Sequence, residues 1–138
     1  MGSAWVLFVL LVICLGDVGA YLSGKYLGKH RLAPAISPKK TIEGLFGGFA
    51  GNFLGMLIAE AFYPRLAPLS VLVQATLLLA VLGPLGDLCA SALKRRMAIK
   101  DFGSLMPGHG GIMDRADSLI PAFPAVYYFL TLTVLAVP

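Results

Sequence analysis

Apolar residues fall into four long runs, and nearly all the charge collects in the stretches between them. The first run covers about Ala4 to Leu22 (AWVLFVLLVICLGDVGAYL) and the second about Gly44 to Tyr63 (GLFGGFAGNFLGMLIAEAFY). The third covers about Leu69 to Ala92 and the fourth about Leu119 to Val137. Each approaches the roughly 20 apolar residues that a helix needs to cross the hydrocarbon core of a bilayer. The pattern predicts an all-α, polytopic membrane protein of about four transmembrane helices, built as one membrane-embedded domain over residues 1–138. Pro121 and Pro124 lie in the first turns of the fourth run and fit a helix start or a kink. No basic segment precedes the first run and no A-x-A site follows it, so it reads as a spanning helix and not a signal peptide.

Composition agrees with the pattern. The chain is 58% hydrophobic and 13% charged, with a mean hydropathy of +0.84; a soluble domain carries about 25% charged residues. The net charge of +4 would raise nucleic acid as a partner in a soluble protein. Here the cations sit in loops between apolar runs, which points to topology and phosphate-bearing ligands instead. Residues 23–43 and 93–118 hold five Lys or Arg each, whereas the link around Pro64 to Pro68 holds only Arg65. The positive-inside rule puts both long loops in the cytoplasm. Cys14 and Cys89 fall inside apolar runs without metal-site or CxxC spacing, and read as small buried residues.

Two features inside the runs add to this. Glycines at 44, 48, 51 and 55 share one face of the second helix, where small side chains let a neighbouring helix approach closely. Packing within the chain is favoured over a dimer motif. Asp17, Glu60 and Asp87 lie in or at the ends of apolar runs, where a charge costs about 2.5–3.5 kcal/mol at the bilayer centre. Glu60 stands near the extracytoplasmic end and can reach water. Asp17 and Asp87 lie on the side of the charged loops and are candidate functional groups.

Residues 91–118, SALKRRMAIKDFGSLMPGHGGIMDRADS, hold eight of the eighteen charged residues and one of the two histidines. If the third helix continues past Leu88, then Asp87, Ser91 and Lys94 share a face, with Arg95 beside it. The loop Pro107-Gly108-His109-Gly110-Gly111 offers backbone that can approach a phosphate closely, although it lacks the Walker pattern. Asp114, Arg115 and Asp117 follow, and place two carboxylates three residues apart. Such acids either begin a helix favourably or bind Mg²⁺ as hard oxygen ligands together with substrate phosphates. No Ser-His-Asp arrangement or zinc spacing is present. Acid for metal, base for phosphate and glycine for close approach, at a membrane surface, indicate phosphoryl or nucleotidyl transfer onto a lipid.

The same stretch resembles the signature of the phosphatidate cytidylyltransferases, or CDP-diacylglycerol synthases. Ser91, Lys94, Arg95, Lys100, Asp101, Pro107, His109, Gly110, Gly111, Asp114, Arg115 and Asp117 occupy its places, and GDVGAYLSGKYLGKHRLAPAISPKKTIEG (16–44) and GPLGDLCASALKR (83–95) extend the likeness. It is a likeness to the C-terminal catalytic half of that family. The resemblance implies transfer of the cytidylyl group of CTP to phosphatidate with Mg²⁺, giving CDP-diacylglycerol and pyrophosphate. It implies metal ligation by Asp87 and Asp114, to which Asp117 is added here, and suggests a homodimer in a bacterial inner membrane. Lys94, Arg95, Lys100 and Arg115 are the expected phosphate contacts, and Lys94 and Arg95 are counted with Asp87 and Asp114 as catalytic. Ser91, His109, Gly110 and Gly111, with Ser37, Lys39 and Lys40 of the SPKKT segment, complete the expected substrate site. The alternatives are a CTP-dependent lipid or polyprenol kinase and a non-catalytic lipid-binding membrane module.

The topology is directly testable. Reporters fused near Ala35 and near Gly103 should register in the cytoplasm, and one near Ala67 outside. Ala35 and Gly103 on opposite sides of the membrane would break the four-span arrangement.

Overall fold

The structure is a computed structural model, and it describes residues 2–99 and 117–133. Within these, helix α1 spans Ser3–Leu27, α2 Ile42–Phe62, α3 Leu69–Arg96 and α4 Leu119–Thr133. The first three are long and apolar enough to cross a membrane, and α4 is a shorter apolar helix over its described length. Residues 134–137 of the expected fourth span lie outside the described residues. The helical expectation holds, with one addition. Between α1 and α2 the chain forms a small antiparallel hairpin, β1 (Arg31–Ala33) and β2 (Ser37–Thr41), paired Arg31 to Thr41 and Ala33 to Ser37 across a bulge. Pro34 starts its turn, which the Ile36 N–H closes on the Ala33 carbonyl at 3.2 Å; proline's fixed φ suits that position. With only two strands, Pro38 costs no interior ladder bond.

Two helices run further than their apolar runs. Helix α1 continues to Leu27 because Lys25 and Tyr26, like other long amphipathic side chains, can lie along apolar surface while their polar ends reach water. Helix α3 continues to Arg96 and closes in a Schellman motif. The Ile99 N–H donates to the Lys94 carbonyl (3.0 Å) and the Ala98 N–H to the Arg95 carbonyl (3.2 Å). Ala98 takes the left-handed position at φ 55°, which costs a non-glycine residue about 1–2 kcal/mol.

Helices α1 and α2 pack antiparallel, backbone against backbone. A Cβ on Gly51 would overlap the Leu15 carbonyl oxygen, and one on Gly55 would stand 2.7 Å from the Leu11 oxygen and from the Cα of Val12. The glycine face of α2 is therefore spent on packing within the chain, as its spacing predicts. Away from the hairpin all four helices converge on a closed core, in which Phe8, Val9, Val12, Ala59, Leu72, Ala75, Leu79, Ala122 and Val126 are almost wholly buried. Towards the hairpin α1 and α2 stay in contact, while α3 stands off from them. Cys14 and Cys89, expected inside, are exposed; each sits on the outward face of its helix.

Gly51→Ala should destabilise the protein in detergent by about 1–3 kcal/mol, the usual cost of overpacking. Gly83→Ala, where the added carbon meets nothing outside its own helix, should cost clearly less, the crowding there being that of Pro84 next in sequence. Thermal unfolding of the two variants checks this, and equal losses would contradict the packing account.

Candidate active site

Where α3 stands off, a cavity of about 560 Å³ opens between α1, α2 and α3, with the hairpin across its mouth. Its floor is Ile13, Leu79, Ala80 and Asn52, and its upper wall carries Asp17, Ser37, Lys39, Lys40, Asp87 and Asp117. It is therefore largely apolar below, the Asn52 amide apart, and charged above.

The hairpin is held in place by the start of α2. Thr41 caps that helix, its hydroxyl accepting from the Gly44 N–H at 3.1 Å; such caps contribute about 1 kcal/mol. Two residues on, one oxygen of Glu43 accepts from the backbone N–H groups of Lys29 (3.1 Å) and His30 (3.2 Å). The other accepts from His30 Nδ1 at 2.6 Å. The Ile42 N–H adds a bond to the His30 carbonyl at 2.9 Å. These contacts tie the exit of α1 to the start of α2, so that β2 must carry Lys40 back over the cavity.

Lys40 Nζ lies 2.5 Å from Asp87 Oδ2 on α3 and donates to the Pro84 carbonyl at 3.4 Å. Both side chains are partly buried, at 23% and 36% exposure, so water screens the pair only partly. Asp117 arrives from the other side, just before α4. Gly86 makes this possible, since a Cβ there would stand 2.6 Å from the Asp117 carbonyl oxygen and 2.7 Å from Pro121 Cγ. Burial, followed by the neighbouring Asp87 carboxylate, pushes the Asp117 carboxyl up to about 6, against the opposing pull of the Ser118 N–H and of Lys94. The Ser118 N–H donates to Asp117 Oδ1 at 2.7 Å.

The expected site residues divide into three groups. Asp87, Asp117, Ser37, Lys39 and Lys40 come together around the cavity. Ser91, Lys94 and Arg95 continue the α3 face above Asp87 without lining it; Lys94 acts on Asp117, and Arg95 Nε meets the Ile36 carbonyl at 3.5 Å, on the hairpin turn. Lys100, His109, Gly110, Gly111, Asp114 and Arg115 lie outside the described residues. Asp17 reaches the same cavity as Asp87. Asn52, Tyr21 and Lys25 also line it, and spacing alone does not single them out. Glu43 could have been found as an acid in the first turn of α2, behind the Thr41 cap, but its partners at 29 and 30 are set by the loop's return.

Among the described residues, no three His, Cys, Asp or Glu side chains stand close enough to hold a metal ion. Mg²⁺ does not require three, since it is usually bound through one or two carboxylates together with waters and substrate phosphates. Asp87 and Asp117 fit that requirement: two hard carboxylates meet, and burial first, then the Asp87 charge, disfavours the ionised form of Asp117, a cost that a bound cation would offset.

Apolar spanning helices around a cavity headed by acids and lysines define an integral membrane protein with a site suited to anionic substrates. Residues 1–133 match the model of the cytidylyltransferase family, and the chain belongs to that family. It is 42% identical over 132 residues to a phosphatidate cytidylyltransferase of Staphylococcus epidermidis, an alignment covering 96% of this chain and 51% of that protein. To the phosphatidate cytidylyltransferase of Staphylococcus aureus it is 43% identical over 129 residues, covering 94% and 50%. The chain thus spans about half the length of these relatives. Its fold is also that of a solved structure described as an intramembrane enzyme for archaeal membrane lipid biosynthesis, with a TM-score of 0.59 at 22% identity over 86% of this chain and 76% of that one.

The Glu43 clasp can be tested apart from chemistry. In Glu43→Ala, trypsin should cut after Lys29 and Arg31 several-fold faster than in the parent, because two backbone donors and one ring donor lose their acceptor. Unchanged cleavage would mean that the hairpin is held by other contacts.

Proposed function

We propose that this chain transfers the cytidylyl group of CTP to phosphatidate, releasing pyrophosphate and leaving CDP-diacylglycerol in the membrane. The observation that carries the reading is the meeting of Lys40, Asp87 and Asp117 at the head of a cavity that is largely apolar below, in a chain of the cytidylyltransferase family. The partners are CTP, phosphatidate, the bilayer and, on family likeness, a second copy of the chain. Basic loops and staphylococcal relatives support a bacterial cell membrane with the cavity towards the cytoplasm.

In this reaction an oxygen of the lipid phosphate attacks the α-phosphorus of CTP, and the bond from that phosphorus to the β-phosphate oxygen breaks. The nucleophile is already an anion near neutral pH and the leaving group is pyrophosphate, so no dedicated base is required. The protein's work is positioning and charge neutralisation. Mg²⁺, held by Asp87 and Asp117 with Asp114 as a further ligand, would neutralise phosphate oxygens. Lys40 serves as the exchangeable counter-ion: paired with Asp87 in the free protein, it turns to a substrate phosphate when one arrives. Lys39 and Ser37 border the same mouth, and Lys94, Arg95, Lys100 and Arg115 supply further charge on the approach. Ser91, His109, Gly110 and Gly111 complete the substrate contacts.

Purified chain in detergent with phosphatidate, CTP and Mg²⁺ should release pyrophosphate in step with CDP-diacylglycerol. CDP as the product would indicate a kinase, and no product would leave a binding module. Asp87→Asn should lower turnover by about a hundredfold or more, as expected for a group that stabilises charge at the reacting centre, while the helices stay folded. Arg65→Ala, at the opposite end of the helices, should leave turnover unchanged.

A further inference from the structure

Among the described residues, the α1 side of the cavity borders an exposed helix face. Asp17, Tyr21 and Lys25 follow one another at four-residue intervals along α1, and all three line the cavity. The interval advances only about 40° per step, so they form a stripe rising about 12 Å from the level of the carboxylates towards the end of the helix. Beside that stripe, Val18 and Leu22 are 51% and 46% exposed. The cavity wall is therefore continuous with the lipid-facing surface of α1.

At the top of the stripe stands a cation held by aromatic rings. Lys25 Nζ lies 5.8 Å from the Tyr21 ring centroid and 5.5 Å from that of Tyr26. Among the described residues no carboxylate forms an ion pair with it. Tyrosine rings settle at the level of lipid headgroups, and an ammonium over their faces is attracted without being neutralised. Lys25 is thus a charge held in place at headgroup depth, on the rim of the cavity.

Resting on the reading above, we infer that this edge of α1 is the lateral portal by which phosphatidate reaches the site. Lys25 captures the phosphomonoester headgroup, the acyl chains stay against Val18 and Leu22, and the headgroup moves down the stripe towards Lys40. A diffusing nucleotide has no use for the apolar part of such a path. An amphiphile whose anionic head and apolar tails arrive together uses both parts.

The protein is reconstituted in phosphatidylcholine vesicles with graded phosphatidate, and turnover is followed against the surface fraction of phosphatidate and, separately, against CTP. Lys25→Glu should raise the apparent KM for phosphatidate by at least about fivefold, the effect of one lysine at an anionic surface, with the KM for CTP unchanged and Lys25→Arg near the parent. Arg31→Gln, a cation at the same end that is not on the rim, should have no such effect. A photoactivatable phosphatidate should label Val18 and Leu22 in the parent and lose that labelling in Lys25→Glu. A shift in the KM for CTP, an equal effect of Arg31→Gln, or labelling confined to other helices would overturn the portal. Labelling of α1 without turnover in the parent would count against cytidylyl transfer and leave the portal standing.

Discussion

In a bilayer, helices gain nothing by hiding apolar side chains from one another, because lipid tails are equally apolar. Association then rests on close packing and on interhelical polar contacts. In this protein the close packing is the contact of α1 with α2, where Gly16, Gly19, Gly47, Gly51 and Gly55 let the two backbones touch. That contact sets much of the rest. It fixes the separation of the two helix ends that the hairpin must join, and it takes so little width that α3 can stand off and leave space. The cavity exists because two of its walls are thin.

Electrostatics then decides what the space is for. Asp17, Asp87 and Asp117 border one cavity, and bringing carboxylates together in a partly desolvated place works against folding. Lys40 offsets part of this through its contact with Asp87, and Lys94 through its field on Asp117. The compensation is incomplete, since Asp117 still holds its proton up to about pH 6. A fold that keeps acids and lysines together at one cavity suits ligands that bring both cation and phosphate, and the proposed reaction supplies these together.

Much of this was legible in the sequence. The four runs marked the helices because spanning length and apolar composition are strong signals, and the glycine spacing marked the contact face of α2. Asp17 and Asp87 stood out because charge inside an apolar run is costly. The hairpin was not legible: SPKKT has no alternation and a single β-branched residue, Thr41, and its pairing follows from the bonds of Glu43 to Lys29 and His30 and not from propensity. Asn52, Tyr21 and Lys25 were hidden for a different reason. An amide, a ring and a lysine near a helix end are ordinary, and only the divergence of α1 from α3 turns their faces into a cavity wall. The cysteines were misread because burial was inferred from apolar neighbours in sequence, whereas in a membrane helix such neighbours can face lipid as well as protein.

The division of labour between the two ends of the helix bundle follows from the same asymmetry. The closed core from Phe8 to Val126 lies where charge is sparse, so packing there is limited only by volume. At the other end the acids and the hairpin lie between α3 and the α1–α2 pair, and the cavity stays open there. Closing the cavity by larger side chains would add dispersion contacts but would take Asp17 and Asp87 out of water with Lys40 as the counter-ion between them, at several kcal/mol per ion. The open cavity is therefore the less costly state for this chain, given its intramembrane carboxylates.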